Sequence, residues 1–269
     1  MQQKGDVSGV FMAILIKNAQ IYAENGIQTY QGFCIDGGRI RAMTNNEAEI
    51  DAFLREHDNK VNIIEGRNKL ILPGLINTHT HSPMTLLRNI GSDLPLQQWL
   101  FNEIIPRERK LTSRSVYYGS LLGQLEMIRS GTVAFADMYE PFEAIAQAVL
   151  ESGLKAVLSV PVLHNRWENG ARITENTFAE AERLIKKWKG AGDGRIDVIC
   201  EIHSVYLYDD RLLHEAVSFA KANGLGIHMH LHETKKEISD CLEAVGMRPA
   251  AFFASIGAKS RPSGLRKTR

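Results

Sequence analysis

Residues 72–89 read "LPGLINTHTHSPMTLLRN". An apolar run with a Pro-Gly break leads to two histidines, His79 and His81, which are separated by one residue. Side chains at positions i and i+2 of a strand point to the same side, so both imidazoles are expected to point together where a strand ends. Such a pair suits a metal site, although two histidines at this spacing are a weak signal on their own.

The sequence pattern around this stretch predicts a parallel sheet. After Pro73, short apolar strands alternate with longer amphipathic helices, which is typical of βα units. The five predicted strands are residues 70–79, 132–138, 154–163, 196–203 and 226–232, and the helices are 114–131, 141–152, 174–189, 210–223 and one that begins near residue 233. The fold class is therefore predicted to be α/β. Five units fit either an incomplete TIM-type (β/α)8 barrel, which needs eight units to close, or an open parallel sheet that binds its ligand where the strand order reverses.

The two ends of the chain differ from this central part. Short β-type runs separated by Gly and Asn turns predict a small antiparallel unit over residues 13–72, preceded by an extension at 1–12. No acidic residue follows Glu243, and residues 258–269 are basic and lack any strand or helix period. Two interpretations stay open for this tail: a solvated basic end, or an altered reading frame that truncates the barrel.

Composition limits the classes of partner. The chain has 269 residues, a formal net charge of +1 and mixed acidic and basic side chains, which favours neither a nucleic-acid groove nor a membrane-binding face. The expected partner is therefore a small molecule. Three widely spaced cysteines, Cys34, Cys200 and Cys241, fit a reducing compartment better than a disulfide framework, so a cytoplasmic location is expected.

Histidines mark the ends of three predicted strands. His79 and His81 end the first, His203 the fourth and His230 lies near the end of the fifth. In parallel βα barrels the carboxyl ends of the strands form the active site. Imidazoles without cysteine partners suit Zn²⁺, or Fe²⁺ if a carboxylate is added. The sequence thus predicts one divalent metal at this edge of the sheet.

The fifth predicted strand contains the densest group of candidate residues, "IHMHLHETKKE". His228, His230 and His232 are expected on one face because they alternate along the strand. Glu233 has two interpretations at this point: a carboxylate that moves protons next to the metal, or an acid favoured near a helix N-terminus by the helix dipole.

Four blocks resemble the amidohydrolase superfamily, and within it the 5-methylthioadenosine/S-adenosylhomocysteine deaminases, grouped with chlorohydrolase-like hydrolases. The blocks are "LPGLINTHTHSPMTLLR", "GSDLPLQQWLFNEIIPRERKLT", "YYGSLLGQLEMIRSGTVAFADMY" and "HMHLHETKKEI", and the likeness extends over residues 13–257. The resemblance implies a (β/α)8 barrel with a small β-sandwich, one divalent metal and hydrolytic deamination of a 6-aminopurine. It also allows a homo-oligomer for an intact family member.

The resemblance implies roles for five residues of the histidine-rich segments. By position, His79 and His81 match the first two metal ligands of the family, and His230 matches the third. Glu233 matches the proton shuttle. His203, in "EIHSVY", matches a histidine that reaches the substrate, although the family reads closer to "PHSPY" here.

Further positions match the substrate-binding residues of the family. Trp99 and Glu108 lie in a block that contacts the nucleoside, and a carboxylate suits the paired ribose hydroxyls. Arg172 matches a loop arginine near the ligand. Val160 stands where an arginine is frequent, which weakens the expectation for S-adenosylhomocysteine.

Other conspicuous residues are predicted to have ordinary roles. His57 and His214 are expected at the surface, Asp137 in a structural hydrogen bond, and Trp188 in packing. His164 could line the mouth of the site.

The predicted function is deamination of adenosine-type nucleosides, with two alternatives. One is a related guanine or cytosine deaminase or a triazine chlorohydrolase; the other is a non-catalytic remnant. The family pattern also has a strand-six histidine and a strand-eight aspartate that match nothing in this sequence. For that reason the polypeptide of 269 residues is expected not to deaminate.

Overall fold

The computed structural model describes residues 13–168 and 171–258, with the side chains of 166–168 and 171–172 excepted. The predicted extension at 1–12 and nearly all of the predicted tail therefore lie outside the described residues. The chain divides into two compact units, and the division falls between Pro73 and Gly74.

The first unit is a five-stranded sheet with one helix. Its strands are β1 (Ile14–Ala23), β2 (Gly26–Asp36), β3 (Arg39–Thr44), β4 (Asn62–Glu65) and β5 (Leu70–Ile71). The strand order is β3-β2-β1-β4, and β5 also pairs with β1. The prediction of a purely antiparallel unit is wrong in one respect, because β4 and β5 run parallel to β1.

The sequence prediction also missed the helix Glu47–Glu56 of this unit. Asn46 caps its start, since the Asn46 side chain accepts a hydrogen bond from the Ala48 backbone N–H at 3.0 Å. The apolar face of the helix buries Ile50 and Phe53. These two side chains join Leu15 of β1 in the core of the unit.

The second unit is a parallel sheet with strand order β12-β11-β8-β7-β6. Its strands are β6 (Leu75–Thr80), β7 (Thr132–Asp137), β8 (Lys155–Pro161), β11 (Ile196–Glu201) and β12 (Ile227–His228). Consecutive strands of this sheet are neighbours and all are parallel. The predicted incomplete α/β barrel of five βα units is therefore confirmed.

Helices follow the strands of this sheet. The main ones are Ser113–Arg129, Phe142–Ser152, Phe178–Trp188, Asp210–Ala222, Lys235–Val245 and Pro249–Ser255. A shorter helical segment runs from Leu96–Gln98 through Trp99–Ile104 to Ile105–Glu108. No helix among the described residues is both long and apolar enough to cross a membrane.

The core of this unit lies between the sheet and its helices. Ile145 and Val149 of one helix, Leu213 of another and Leu158 of β8 are at most 2% exposed. All three cysteines of the chain are buried and free. Val160, where the resemblance implied an arginine, is fully buried in this core.

The helix Ser113–Arg129 holds the segment that follows His81. Its glycines Gly119 and Gly123 face a 3₁₀ turn, Ser82–Leu87. A Cβ atom at Gly119 would lie 2.8 Å from the Pro83 carbonyl oxygen, closer than such atoms pack. Glycine at this position therefore permits the close contact between helix and turn.

Several predicted boundaries are wrong. The predicted strand 70–79 is divided at the Pro-Gly break, so that Leu70–Ile71 belongs to the first unit and Leu75–Thr80 to the second. No strand was predicted between the strand 154–163 and the helix 174–189, but β9 (Leu163–Glu168) and β10 (Ala171–Asn176) pair antiparallel there. The following helix starts at Phe178 instead of residue 174.

The parallel sheet is strongly curled. β6 and β12 are its two edges, yet the Nδ1 atom of His79 on β6 lies 2.8 Å from the Nε2 atom of His228 on β12. Side chains from opposite edges therefore meet inside the curve.

Candidate functional site

Three histidine nitrogens converge where β6 and β12 end. His79 is on β6, His81 follows it, and His230 lies two residues beyond β12. The Nε2 atom of His81 is 3.2 Å from Nε2 of His79 and 3.1 Å from Nε2 of His230. The structure thus brings together the three residues that the sequence suggested as metal ligands.

The other nitrogens of these rings already have partners. His230 Nδ1 lies 3.2 Å from the carbonyl oxygen of His203, which can only accept, so this nitrogen carries the proton. His79 Nδ1 faces His228, and His81 is hydrogen-bonded to the backbone of Met138. In this arrangement each of the three rings has its free lone pair on Nε2, and the three lone pairs point toward one another.

Convergent lone pairs repel unless a cation lies between them. Zn–N bonds of about 2.0–2.1 Å in a tetrahedral site place the nitrogens about 3.3 Å apart, close to the spacings of 3.1 and 3.2 Å. An all-imidazole set of donors also suits Zn²⁺. The residues present therefore fit a zinc ion.

The surroundings of His81 and His79 favour the form of imidazole that binds metal. Burial, followed by the charges of His230, His203 and His79, lowers the pKa of His81 to about 3. The pKa of His79 is lowered by burial and by His230. Neutral imidazole is the state that coordinates a metal ion.

The histidines open onto a cavity of about 690 Å³. The remaining side chains that bear on the chemistry and line this cavity are Trp99, Glu108, Tyr139, Glu140, His164, Glu201, His203, Tyr206 and Glu233. Of the residues proposed from the sequence, only Arg172 cannot be placed in this way. It belongs to β10, and its side chain lies outside the described part of the structure.

Glu233 lies in the cavity and is held from both sides. The Tyr206 hydroxyl donates a hydrogen bond to Glu233 Oε2 at 3.1 Å, and burial raises the pKa of this tyrosine to about 12. The Glu233 backbone N–H donates to the buried Glu237 carboxylate at 2.6 Å. Glu233 precedes Thr234, the N-cap of the helix Lys235–Val245, so it lies just outside the first helical turn and both interpretations of this carboxylate stay open.

His203 is buried beside the three-histidine group. Its ring centroid lies 4.6 Å from that of His230, and burial, followed by the charges of His230 and His79, lowers its pKa to about 3. The carbonyl oxygen of His203 also accepts a hydrogen bond from the His230 backbone N–H at 2.8 Å. His203 therefore positions His230 through its backbone and presents a neutral imidazole to the cavity.

Trp99 and Glu108 reach the cavity from the helical segment Leu96–Glu108. The Trp99 indole N–H donates to the Ile90 carbonyl oxygen at 2.9 Å, which fixes the ring. Burial raises the pKa of Glu108, and the nearby Tyr139 hydroxyl partly offsets that rise. A carboxylate with few water contacts is thus available to a ligand.

Asp137 has the structural environment expected of it. The Ser82 backbone N–H donates to Asp137 Oδ1 at 3.0 Å, and the Ser82 hydroxyl donates to Oδ2. Burial raises the pKa of Asp137 to about 6. These bonds fix the start of the turn that follows His81.

The remaining histidines separate into distinct environments. His57 and His214 pair with Asp36 and Asp210, and neither is among the residues that line the cavity, whereas His164 is. The expectation that His232 shares a face with His228 and His230 is wrong, because its backbone φ is 58°. Its Nε2 accepts a hydrogen bond from the Ala250 backbone N–H. Trp188 is buried in the core.

The sequence analysis missed several polar residues around the cavity. Glu201 and Tyr206 line the cavity, and the Ser159 hydroxyl lies 2.7 Å from His228 Nδ1, but each of the three comes from a different strand or turn. Glu201 had one usable signal, since it lies two residues before His203 and so shares its face of the strand.

Comparisons with known proteins identify chains that resemble this one. Residues 70–257 match the Amidohydrolase family. A 5-methylthioadenosine/S-adenosylhomocysteine deaminase of Acetivibrio thermocellus is 40% identical over 252 residues, which is 91% of this chain and 56% of that protein. A 5'-deoxyadenosine deaminase of Methanocaldococcus jannaschii is 41% identical over 91% of this chain and 54% of its own length.

A solved structure shows the same relationship. The zinc-bound adenosine deaminase from Xanthomonas campestris superposes with a TM-score of 0.74 at 25% identity, covering 92% of this chain and 55% of that one. The chain thus spans about half the length of the relatives that it matches. On the extent and identity of these matches, the chain belongs to the amidohydrolase family.

Proposed function

We propose that the site is that of a zinc-dependent hydrolytic deaminase acting on adenosine-type nucleosides. The observation that carries the proposal is the convergence of three histidine Nε2 atoms in a cavity that also holds Glu233. The names of the relatives, which are deaminases of 5-methylthioadenosine, S-adenosylhomocysteine and 5'-deoxyadenosine, support this class of substrate.

His79, His81 and His230 would hold the ion through Nε2. When bound, zinc supplies a water of lowered pKa as the nucleophile for the amino-bearing carbon of the ring. The three histidines serve this chemistry by keeping their Nδ1 sides engaged elsewhere, which leaves their Nε2 atoms to the ion.

Glu233 would move the protons. Its carboxylate accepts a proton from the attacking water and delivers it to the adjacent ring nitrogen, and a second transfer goes to the departing amino group. The carbon gains an oxygen and loses ammonia, so the reaction balances as a hydrolysis. Tyr206, which donates to Glu233 Oε2, would keep the carboxylate facing the cavity during both transfers.

Glu108 and Trp99 would recognise the nucleoside. Trp99 offers an apolar ring at the cavity wall, and the two oxygens of Glu108 can accept from the two ribose hydroxyls. The neutral His203 can donate to or accept from the purine ring. This division assigns the ribose to the helical segment and the purine to the ends of the strands.

We expect Glu108→Ala to weaken binding of adenosine by about 1–3 kcal/mol, because it leaves the ribose hydroxyls without their acceptors. Binding of free adenine should be unchanged. Isothermal titration of the zinc-loaded chain measures both affinities, with Glu103→Ala on the same helical segment as the matched control. Equal losses for adenosine and adenine would contradict the ribose role.

A panel of ligands tests the proposed function as a whole. The zinc-loaded chain is titrated with 5-methylthioadenosine, 5'-deoxyadenosine, guanine and a chlorotriazine. The two nucleosides should bind more tightly than the other compounds; preference for guanine or the triazine would favour the alternative deaminase or chlorohydrolase.

Ammonia release is followed in the same samples. Binding without release agrees with both the proposed site and the expectation that the polypeptide of 269 residues does not deaminate. Release at an ordinary enzymatic rate of about 1 s⁻¹, abolished by His230→Ala, would demonstrate the reaction and overturn that expectation.

A further inference from the structure

His228 contacts His79 on the side of the ring that faces away from the other two histidines of the group. The His228 Nε2 atom is 2.8 Å from His79 Nδ1, whereas His79 Nε2 faces His81. The rings of His79 and His228 meet edge to face at an interplanar angle of 86°. His228 therefore cannot share the ion that His79 would bind through Nε2.

Ser159 stands behind His228. The Ser159 hydroxyl oxygen lies 2.7 Å from His228 Nδ1, and the serine itself is 1% exposed on β8. The hydrogen bonds join Ser159, His228 and His79, which come from β8, β12 and β6. The curl of the sheet is what brings these three strands together.

The positions of the protons in the hydrogen bonds from His79 to His228 and from His228 to Ser159 can be assigned from the proposed metal site. A metal ion on His79 Nε2 requires the single proton of the neutral ring to reside on Nδ1, and this N–H then donates to His228 Nε2. With its Nε2 accepting, His228 carries its own proton on Nδ1 and donates to the Ser159 oxygen.

We infer that His228, backed by Ser159, is a positioning residue that fixes the tautomer and orientation of His79 for metal binding. Metal-bound histidines commonly donate their second N–H to a carboxylate or a carbonyl oxygen, and loss of that partner costs about 10–100-fold in metal affinity. Here the neutral imidazole of His228 would accept the hydrogen bond from the second N–H of His79. The inference rests on the proposed metal site.

The test compares zinc affinity among variants of the full chain by competition with a chromophoric chelator. His228→Leu should weaken binding about 10–100-fold. His228→Gln should recover most of the loss, because its amide oxygen can accept from His79 Nδ1. Ser159→Ala should cause a smaller loss than His228→Leu, and His214→Leu, at an exposed histidine, should bind as the unaltered chain does.

A second readout separates positioning from packing. The visible absorption of the Co²⁺-loaded chain should change in His228→Leu and return toward the original spectrum in His228→Gln. Circular dichroism of the metal-free protein shows whether His228→Leu folds. If it does not, the zinc affinities and Co²⁺ spectra of His228→Gln and Ser159→Ala are compared with those of the unaltered chain.

The outcomes distinguish the inference from the proposed function. If the unaltered chain binds no zinc, or if His230→Ala binds as well as the unaltered chain, the metal site itself is wrong. If the unaltered chain binds zinc but folded His228→Leu retains its affinity and spectrum, only the role of His228 is overturned. Equal losses for folded leucine and glutamine variants would also overturn it, because the hydrogen-bond acceptor would then not be what matters.

Discussion

Replacing His230 with alanine is expected to lower the zinc affinity of the chain by more than about a hundredfold. Loss of a hydrogen-bond partner behind a ligand costs about 10–100-fold, and removal of a ligand itself must cost more. His230 is tied at both ends: its backbone N–H and its Nδ1 both contact the His203 carbonyl oxygen. Few side-chain rearrangements could therefore replace it.

Competition with a chromophoric chelator measures this affinity, and His214→Ala provides the matched control. His214 is an exposed histidine that pairs with Asp210 at 3.4 Å, so its loss should leave zinc binding unchanged. Retention of zinc by His230→Ala at the original affinity would show that the three convergent nitrogens are not the metal site.

That these histidines lie together could be predicted from the sequence, because each of them is placed by the end of a strand. His79, His81 and His230 are each near the end of a parallel strand, and such ends lie at one edge of a barrel sheet. No knowledge of the loops was needed. The same argument placed His203 and Glu233 in the cavity where the structure has them.

The contact between His79 and His228 could not be predicted from strand positions alone. These residues are on the two edge strands of the sheet, and in a flat sheet they would be far apart. Their 2.8 Å contact depends on the curl of the whole sheet. Alternation along β12 indicated that His228 faces His230, but nothing local indicated that it reaches His79.

Local signals were misread at two other places. The helix Glu47–Glu56 has an Asn N-cap and acidic residues in its first turn. It lies between strands, however, and the whole of residues 13–72 was predicted to be β structure. Pro73 marked the change of pattern correctly, yet the strand before it was joined to the one after it. A proline cannot donate to a strand ladder, and this break should have divided the two.

Glu201 shows a further limit of sequence analysis, since its environment depends on packing. It is buried at the end of β11 and lines the cavity, and its Oε2 atom has no hydrogen-bond partner. Burial raises its pKa well above the ordinary value, and the facing carboxyl groups of Glu140 and Asp137 raise it further. The folded chain therefore favours the protonated form of Glu201.

Glu201→Gln is expected to stabilise the folded chain increasingly as the pH rises. A carboxyl group whose pKa is raised by folding contributes its full stability below the pKa of the unfolded chain and loses it as the pH rises through the folded value. The loss is at most about 1.4 kcal/mol per pH unit. Glutamine has no such dependence, so the variant should approach the unaltered chain in acid and exceed it at neutral pH.

Urea unfolding at several pH values, with a chelator present to remove any metal contribution, measures the free energy of unfolding of both proteins. Glu243→Gln, at an exposed position on the helix Lys235–Val245, is the control for the chemistry of the substitution. The difference between Glu201→Gln and the unaltered chain should grow from pH 5 to pH 8. A difference that stays constant or shrinks over this range would mean that Glu201 ionises in the folded chain at its ordinary pKa, and that its buried oxygen has a partner.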